Sequence, residues 1–229
     1  PRSFLFRLAA VAALVFLAKT ALWPELPLRS DQFSYHMGAM SLLEGKGYRQ
    51  YWPCAAPNPS RSRILFGMME RRAFYPPGYS VFLAAIYAVT GPCAMVALTA
   101  NALLLVAATI LTYVAGCQLV GGRTARLAAI LFVLLAASTK MSQTALSEPL
   151  FIALTLVSAC FAFGAPRLPQ HLGSGLALGM AHLVRSASMI IPGAYFVAFL
   201  LLRVSVRRSA ARALLISVVS LLVVLPWTL

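Results

Sequence analysis

Apolar residues in this chain fall into long runs separated by short polar breaks. The runs at 4–23 and 93–120 reach the roughly 20 residues that a helix needs to cross a bilayer. Shorter runs at 127–138, 150–163, 172–184, 189–202 and 214–227 approach that length, so the pattern predicts about seven spans. The segment between the first two spans has a different character. It is polar over 24–73, and its apolar run at 81–90 stops at Gly91-Pro92 too soon to cross, which marks a re-entrant or interfacial helix. Phe33, Met37, Met40 and Leu43 recur near the helical period and predict a short amphipathic helix over 31–44 lying along the membrane surface, ended by Gly45 and Gly47. Tyr51-Trp52-Pro53 and Pro57-Asn58-Pro59 favour extended or turn structure. The expected fold class is all-α, a polytopic transmembrane helical bundle whose long first loop carries surface and re-entrant helices.

Composition removes the soluble alternatives. The chain is 61% hydrophobic and 10% charged, with a mean hydropathy of +0.84. Its net charge of +14 is spread between apolar spans and not along one face or a tail, so anionic membrane lipid or lipid phosphate is the expected partner and nucleic acid is not. Four cysteines build no disulfide framework and show no metal-ligand spacing. Charge also orients the chain. With the N-terminus in the cytoplasm and the first span kept as an anchor, Arg123, Arg126, Arg167, Arg203, Arg207, Arg208 and Arg212 all fall inside. The short outer loops then hold only Lys140 and Arg185. Residues 24–91 are thereby expected on the outer face.

The candidate chemistry lies in that loop and at two later positions. Of the 5 acidic residues, all but Glu148 stand between Glu25 and Glu70. Asp31 opens the surface helix, where it either caps the first turn or, partly desolvated at the lipid–water boundary, serves as a base; Tyr35 follows one turn later on the same side. Glu148, in Ser147-Glu148-Pro149, is either an ordinary helix start or a cavity-facing acid on the same membrane face as Asp31. Arg61, Arg63, Arg71, Arg72, Lys46 and Arg49 give this loop an excess of positive charge, read either as contact with anionic headgroups or as a phosphate clamp. Arg71 and Arg72, beside the rigid Tyr75-Pro76-Pro77-Gly78 turn, and Arg185 are the candidates for the clamp. His36, His171 and His182 read as structural.

Asp31 with Tyr35, then Leu43, Gly47 and Tyr48, then Tyr75-Pro76-Pro77-Gly78-Tyr79 leading into Phe82-Leu83, resembles the first outer loop of GT-C superfamily glycosyltransferases. It resembles especially the bacterial protein-mannosyltransferase and aminoarabinose-transferase-like families. Ser147-Glu148-Pro149-Leu150-Phe151, Gly179 to Arg185 and the terminal Pro226-Trp227 look like later landmarks of the same families. The resemblance implies an integral enzyme of a bacterial inner or plasma membrane with its active site outside. Its reaction would be inverting transfer of a sugar from a polyprenyl-phosphate donor to a glycan, lipid or protein acceptor. Asp31 would be the general base and Glu148 the second acidic position. Tyr35, Arg71, Arg72, Tyr75 and Arg185 would bind substrate or phosphate. No metal ligand is assigned, and a divalent cation, Mg2+ or Mn2+, is left open. Relatives usually have more spans and often a C-terminal outer domain, so 1–229 reads as a single module lacking a C-terminal part of the family. Gln32 stands where relatives often carry a second acid.

Two other functions fit the same composition. A transporter or flippase of lipid-linked intermediates would place paired charges deep within spans and interrupt its helices. A non-catalytic subunit or truncated paralogue would be indicated by Asp31 and Glu148 on opposite membrane faces.

Overall fold

The computed structural model describes residues 2–26, 28, 30–53, 68–71 and 75–228. Among them are nine α-helices and one two-stranded ribbon. In order they are α1 (Arg2–Leu22), α2 (Asp31–Leu43), β1 (Gln50–Pro53), β2 (Met68–Arg71), α3 (Gly78–Thr90), α4 (Ala94–Leu119), α5 (Gly122–Ser138), α6 (Glu148–Phe163), α7 (Leu168–Val184), α8 (Ile191–Leu201) and α9 (Val206–Thr228). Each apolar run of the sequence lies on a helix. Ser3–Leu22 of α1, together with α4 and α9, is long and apolar enough to cross a membrane, while α3, α6 and the segment Ser186–Leu201 are shorter apolar helices. The chain is a helical integral membrane protein. The proline-bearing stretch at 50–53 pairs antiparallel with 68–71, Gln50 opposite Arg71 and Pro53 opposite Met68. Proline is tolerated there because it ends the strand.

Helix α4 is the central post, packed against α1, α5 and α6; α7 joins α6 to α9, and α8 lies on α9. Ala12 and Phe16 of α1 pack with Leu105 of α4 and Ala129 of α5 in one apolar core, and Leu178, Phe199 and Ile216 centre another among α7, α8 and α9. A third core, built from Tyr35, Tyr79, Leu83, Tyr87, Leu98, Leu150 and Val184, joins α2 and α3 to the ends of α4, α6 and α7. The site stands on this third core.

Helix α2 buries a face the sequence pattern does not mark. Gln32, Ser34, Tyr35, Gly38, Ala39 and Ser41 are buried, while Phe33, Met37 and Met40 are half-buried and Leu43 is exposed. The apolar stripe therefore points away from the protein core, the orientation a helix at a membrane surface requires. Apart from Tyr35, which enters the core, the inward face is small and polar because α3 comes close: a Cβ on Gly38 would meet Ser80 Oγ at 2.7 Å, and Ser80 Oγ donates to the Tyr35 carbonyl at 3.0 Å.

The 139–147 connection before α6 is clasped by the end of α1. Lys19 Nζ donates to the carbonyls of Ala137 and Thr139, and Thr20 Oγ1 to that of Ser142 at 2.6 Å. Gln143 exchanges backbone and side-chain bonds with Glu25 and Trp23. These bonds fix the approach to Glu148.

Candidate functional site

Asp31, Tyr35, Tyr75, Glu148 and Arg185 line one cavity of about 420 Å3, with Pro76 and Val184 in its wall. They come from four places in the chain: the first two turns of α2, the turn before α3, the N-terminus of α6 and the C-terminal cap of α7. Five of the seven residues singled out from the sequence thus meet. Arg71 ends β2, where its backbone pairs with Gln50. Arg72 lies outside the described residues, as do Arg61 and Arg63.

Ser30 and Ser147, the residues before α2 and α6, make no side-chain capping bond. Asp31 Oδ1 accepts from Ser30 Oγ at 2.9 Å, and the Asp31 carboxylate is also bonded to the Tyr75 hydroxyl. Glu148 Oε1 accepts from Arg185 Nη1 at 2.5 Å, a partly exposed ion pair. Its other oxygen, Oε2, is buried without a hydrogen-bond partner. Ser147, read from the sequence as a cap, instead turns its hydroxyl to Tyr35 (3.2 Å), with Arg185 Nη1 at 3.5 Å.

The two tyrosines are held in their neutral form. Burial raises the Tyr75 pKa above its usual value, and the bonded, negatively charged Asp31 adds to the effect. Burial also raises that of Tyr35; its bond to Ser147 opposes this, and the charges of Asp31 and Glu148 reinforce it. Both hydroxyls therefore stay protonated through the physiological range. The rings pack together, Tyr35 against Tyr75 at 5.1 Å and edge-on to Tyr79 at 5.0 Å. A wall of this kind presents O–H donors and ring faces beside a carboxylate, which suits a hydroxyl-rich ligand.

No family model matches the sequence, and no curated protein does. The likeness is structural. An archaeal oligosaccharyltransferase, AglB from Archaeoglobus fulgidus, solved in complex with an inhibitory peptide and a dolichol-phosphate, superposes with a TM-score of 0.70 at 14% identity over 98% of this chain. The chain has the GT-C fold. It spans 29% of the length of the AglB chain. At this identity the likeness establishes the fold alone.

Sequence reasoning missed Asn101 and the contacts of Ser147 and Gln32. Gln32 Oε1 accepts the Ala145 N–H at 3.0 Å, and Asn101 is fully buried within apolar α4. An amide in the middle of an apolar span was the available signal, since such a group needs partners.

Proposed function

We propose that this chain is a membrane glycosyltransferase module that moves a sugar from a polyprenyl-phosphate donor to an acceptor hydroxyl on the outer face. The observation that carries the reading is the meeting of Asp31, Glu148 and Arg185 in one cavity at the end of a GT-C bundle. The dolichol-phosphate of the AglB complex supports a lipid phosphate as the carrier, and its peptide supports a protein among the candidate acceptors beside glycan and lipid.

The acceptor hydroxyl gives its proton to the Asp31 carboxylate as its oxygen attacks the anomeric carbon. The bond from that carbon to the phosphate oxygen breaks on the opposite side, and the lipid phosphate leaves with the electron pair. One displacement inverts the configuration. Tyr75 orients the carboxylate through their hydrogen bond. Arg185 commits Nη1 to Glu148, leaving its other N–H groups for the phosphate oxygens, where charge grows in the transition state. Arg71 and Arg72 are assigned to the same clamp.

Asp31 and Glu148 also fit a hard divalent cation, Mg2+ or Mn2+. Both are oxygen ligands, and Glu148 Oε2 has no other partner. A cation held there would add charge stabilisation for the departing phosphate. Among the described residues no three His, Cys, Asp or Glu side chains cluster, so water and phosphate would supply its remaining ligands.

The alternatives draw less support. Asp31 and Glu148 share a cavity, which counts against an inactive paralogue, and the Glu148–Arg185 pair sits at helix ends and not deep in a span, which counts against a flippase. The test is transfer from a panel of labelled polyprenyl-phosphate sugars in membranes containing the protein. One donor should give product of inverted anomeric configuration; folded protein that uses no lipid-linked sugar would remove the reading.

A further inference from the structure

The spacing between the two carboxylates depends on a short backbone segment, Thr144 to Leu146, that neither of them touches. Asn101 Nδ2 donates to the carbonyls of Thr144 at 2.8 Å and Leu146 at 2.9 Å. Asn101 Oδ1 accepts from the Tyr79 hydroxyl at 3.0 Å, and the Tyr79 ring is the one set edge-on against Tyr35. From the other side, Gln32 Oε1 accepts the Ala145 N–H at 3.0 Å. Asn101, Tyr79 and Ala145 are all completely buried, and Gln32 nearly so. Three successive residues are therefore gripped by two buried amides, one from α4 and one from α2.

The position of the clamp gives it its significance. Gln32 is the neighbour of Asp31, and Leu146 leads through Ser147 to Glu148. Any play in the 144–146 segment becomes play between Glu148 and Asp31, and it also moves Ser147 away from Tyr35. In a dry interior these bonds have no water to fall back on, so the segment has one well-bonded position. We propose that Gln32 and Asn101 are positioning residues that set the Asp31–Glu148 geometry by clamping the backbone before α6. This rests on the transferase reading for its catalytic consequence, though the clamp itself can be measured without turnover.

The test compares Gln32→Met, Gln32→Glu and Asn101→Asp with the unaltered full-length protein in lipid nanodiscs. Met has nearly the length of Gln but no acceptor for the Ala145 N–H. Glu keeps an acceptor and serves as the conservative rescue. Asp at 101 keeps the acceptor for Tyr79 and loses both donors. Amide exchange in the peptide covering 140–147 should quicken about tenfold or more in Gln32→Met and in Asn101→Asp, and return toward the original rate in Gln32→Glu. The transfer kcat should fall about ten- to a hundredfold in the first two, with KM for the donor changed less than about threefold, because a displaced group weakens the transition state more than binding. Exchange that stays slow in both variants overturns the clamp. Exchange that quickens while kcat holds overturns the positioning role. If Gln32→Met loses protection throughout the bundle, Asn101→Asp carries the comparison. If the unaltered protein transfers no sugar, the transferase reading and the catalytic role fail together, and the exchange rates still decide whether the clamp exists.

Discussion

At the scale of single residues, the site was legible where chemistry is scarce. A chain with 5 acids draws attention to each of them, and Asp31 and Glu148 line one cavity. Ser147 was obscured by its local pattern: a serine before Glu-Pro reads as a cap, and only packing reveals that its hydroxyl is spent on Tyr35. Tyr75, expected to bind substrate or phosphate, also interacts with Asp31. Tyr75→Phe should lower the transfer kcat roughly tenfold while leaving the thermal midpoint nearly unchanged, as expected for losing one hydrogen bond to a charged group that water can reach. His36 gives a second prediction at this scale. Its Nδ1 bonds the Tyr87 hydroxyl at 2.9 Å, and burial lowers its pKa below the usual 6.5. The unfolded chain thus takes up this proton more readily than the folded one. The stability that neutral His36 contributes is complete above pH 6.5 and lost as pH falls below it. Thermal melts should show the unaltered protein losing more than His36→Asn between about pH 7 and pH 5.

Among the elements, periodicity located the helices but not the faces they bury. The apolar stripe of α2 turned out to face outward, because the inner face is set by Tyr35 in the core and by the tight approach of α3 at Gly38. The same ambiguity applies to the glycines of α7. Gly173, Gly175 and Gly179 all look suited to close packing, yet a Cβ on Gly175 would meet Val219 Cβ at 2.6 Å and one on Gly179 would meet Val223 Cβ at 2.6 Å. A Cβ on Gly173 would sit in ordinary contact with the Phe161 ring at 3.4 Å. Gly175 and Gly179 are therefore the positions that let α9 lie against α7. Gly175→Ala should destabilise the protein by about 1–3 kcal/mol, read from chemical denaturation in detergent, and Gly173→Ala by much less. Of the ribbon only β1 was legible, as extended or turn structure, and β2 was not, since the pairing joins residues far apart in sequence.

Across the whole molecule, the helices alternate so that the cavity and its connections gather at one end. The loops near Arg123, Arg167 and Arg203 gather at the other. Arg126 over the Phe4 ring at 5.4 Å ties the start of α1 to that basic end. We propose, from the positive-inside rule, that the basic end faces the cytoplasm. Cys93 and Cys117 are both exposed and stand at opposite ends of α4, which makes them native reporters. A membrane-impermeant thiol reagent should modify Cys93 in intact cells and Cys117 only after permeabilisation, with labelled peptides resolved by mass spectrometry; the reverse pattern would put the cavity in the cytoplasm. The helical class followed from hydropathy because a bilayer forces its spans to be long and apolar. The cavity did not, because it depends on how the ends of four elements meet.

The central claim is that the Asp31 carboxylate accepts the proton of an acceptor hydroxyl during sugar transfer. Single-turnover transfer by Asp31→Asn, with donor binding measured on the same preparation, tests it most directly. The side chain keeps its shape and loses its basicity, so the rate should fall by about a hundredfold to ten-thousandfold while the donor still binds. Transfer at the unaltered rate would contradict the account.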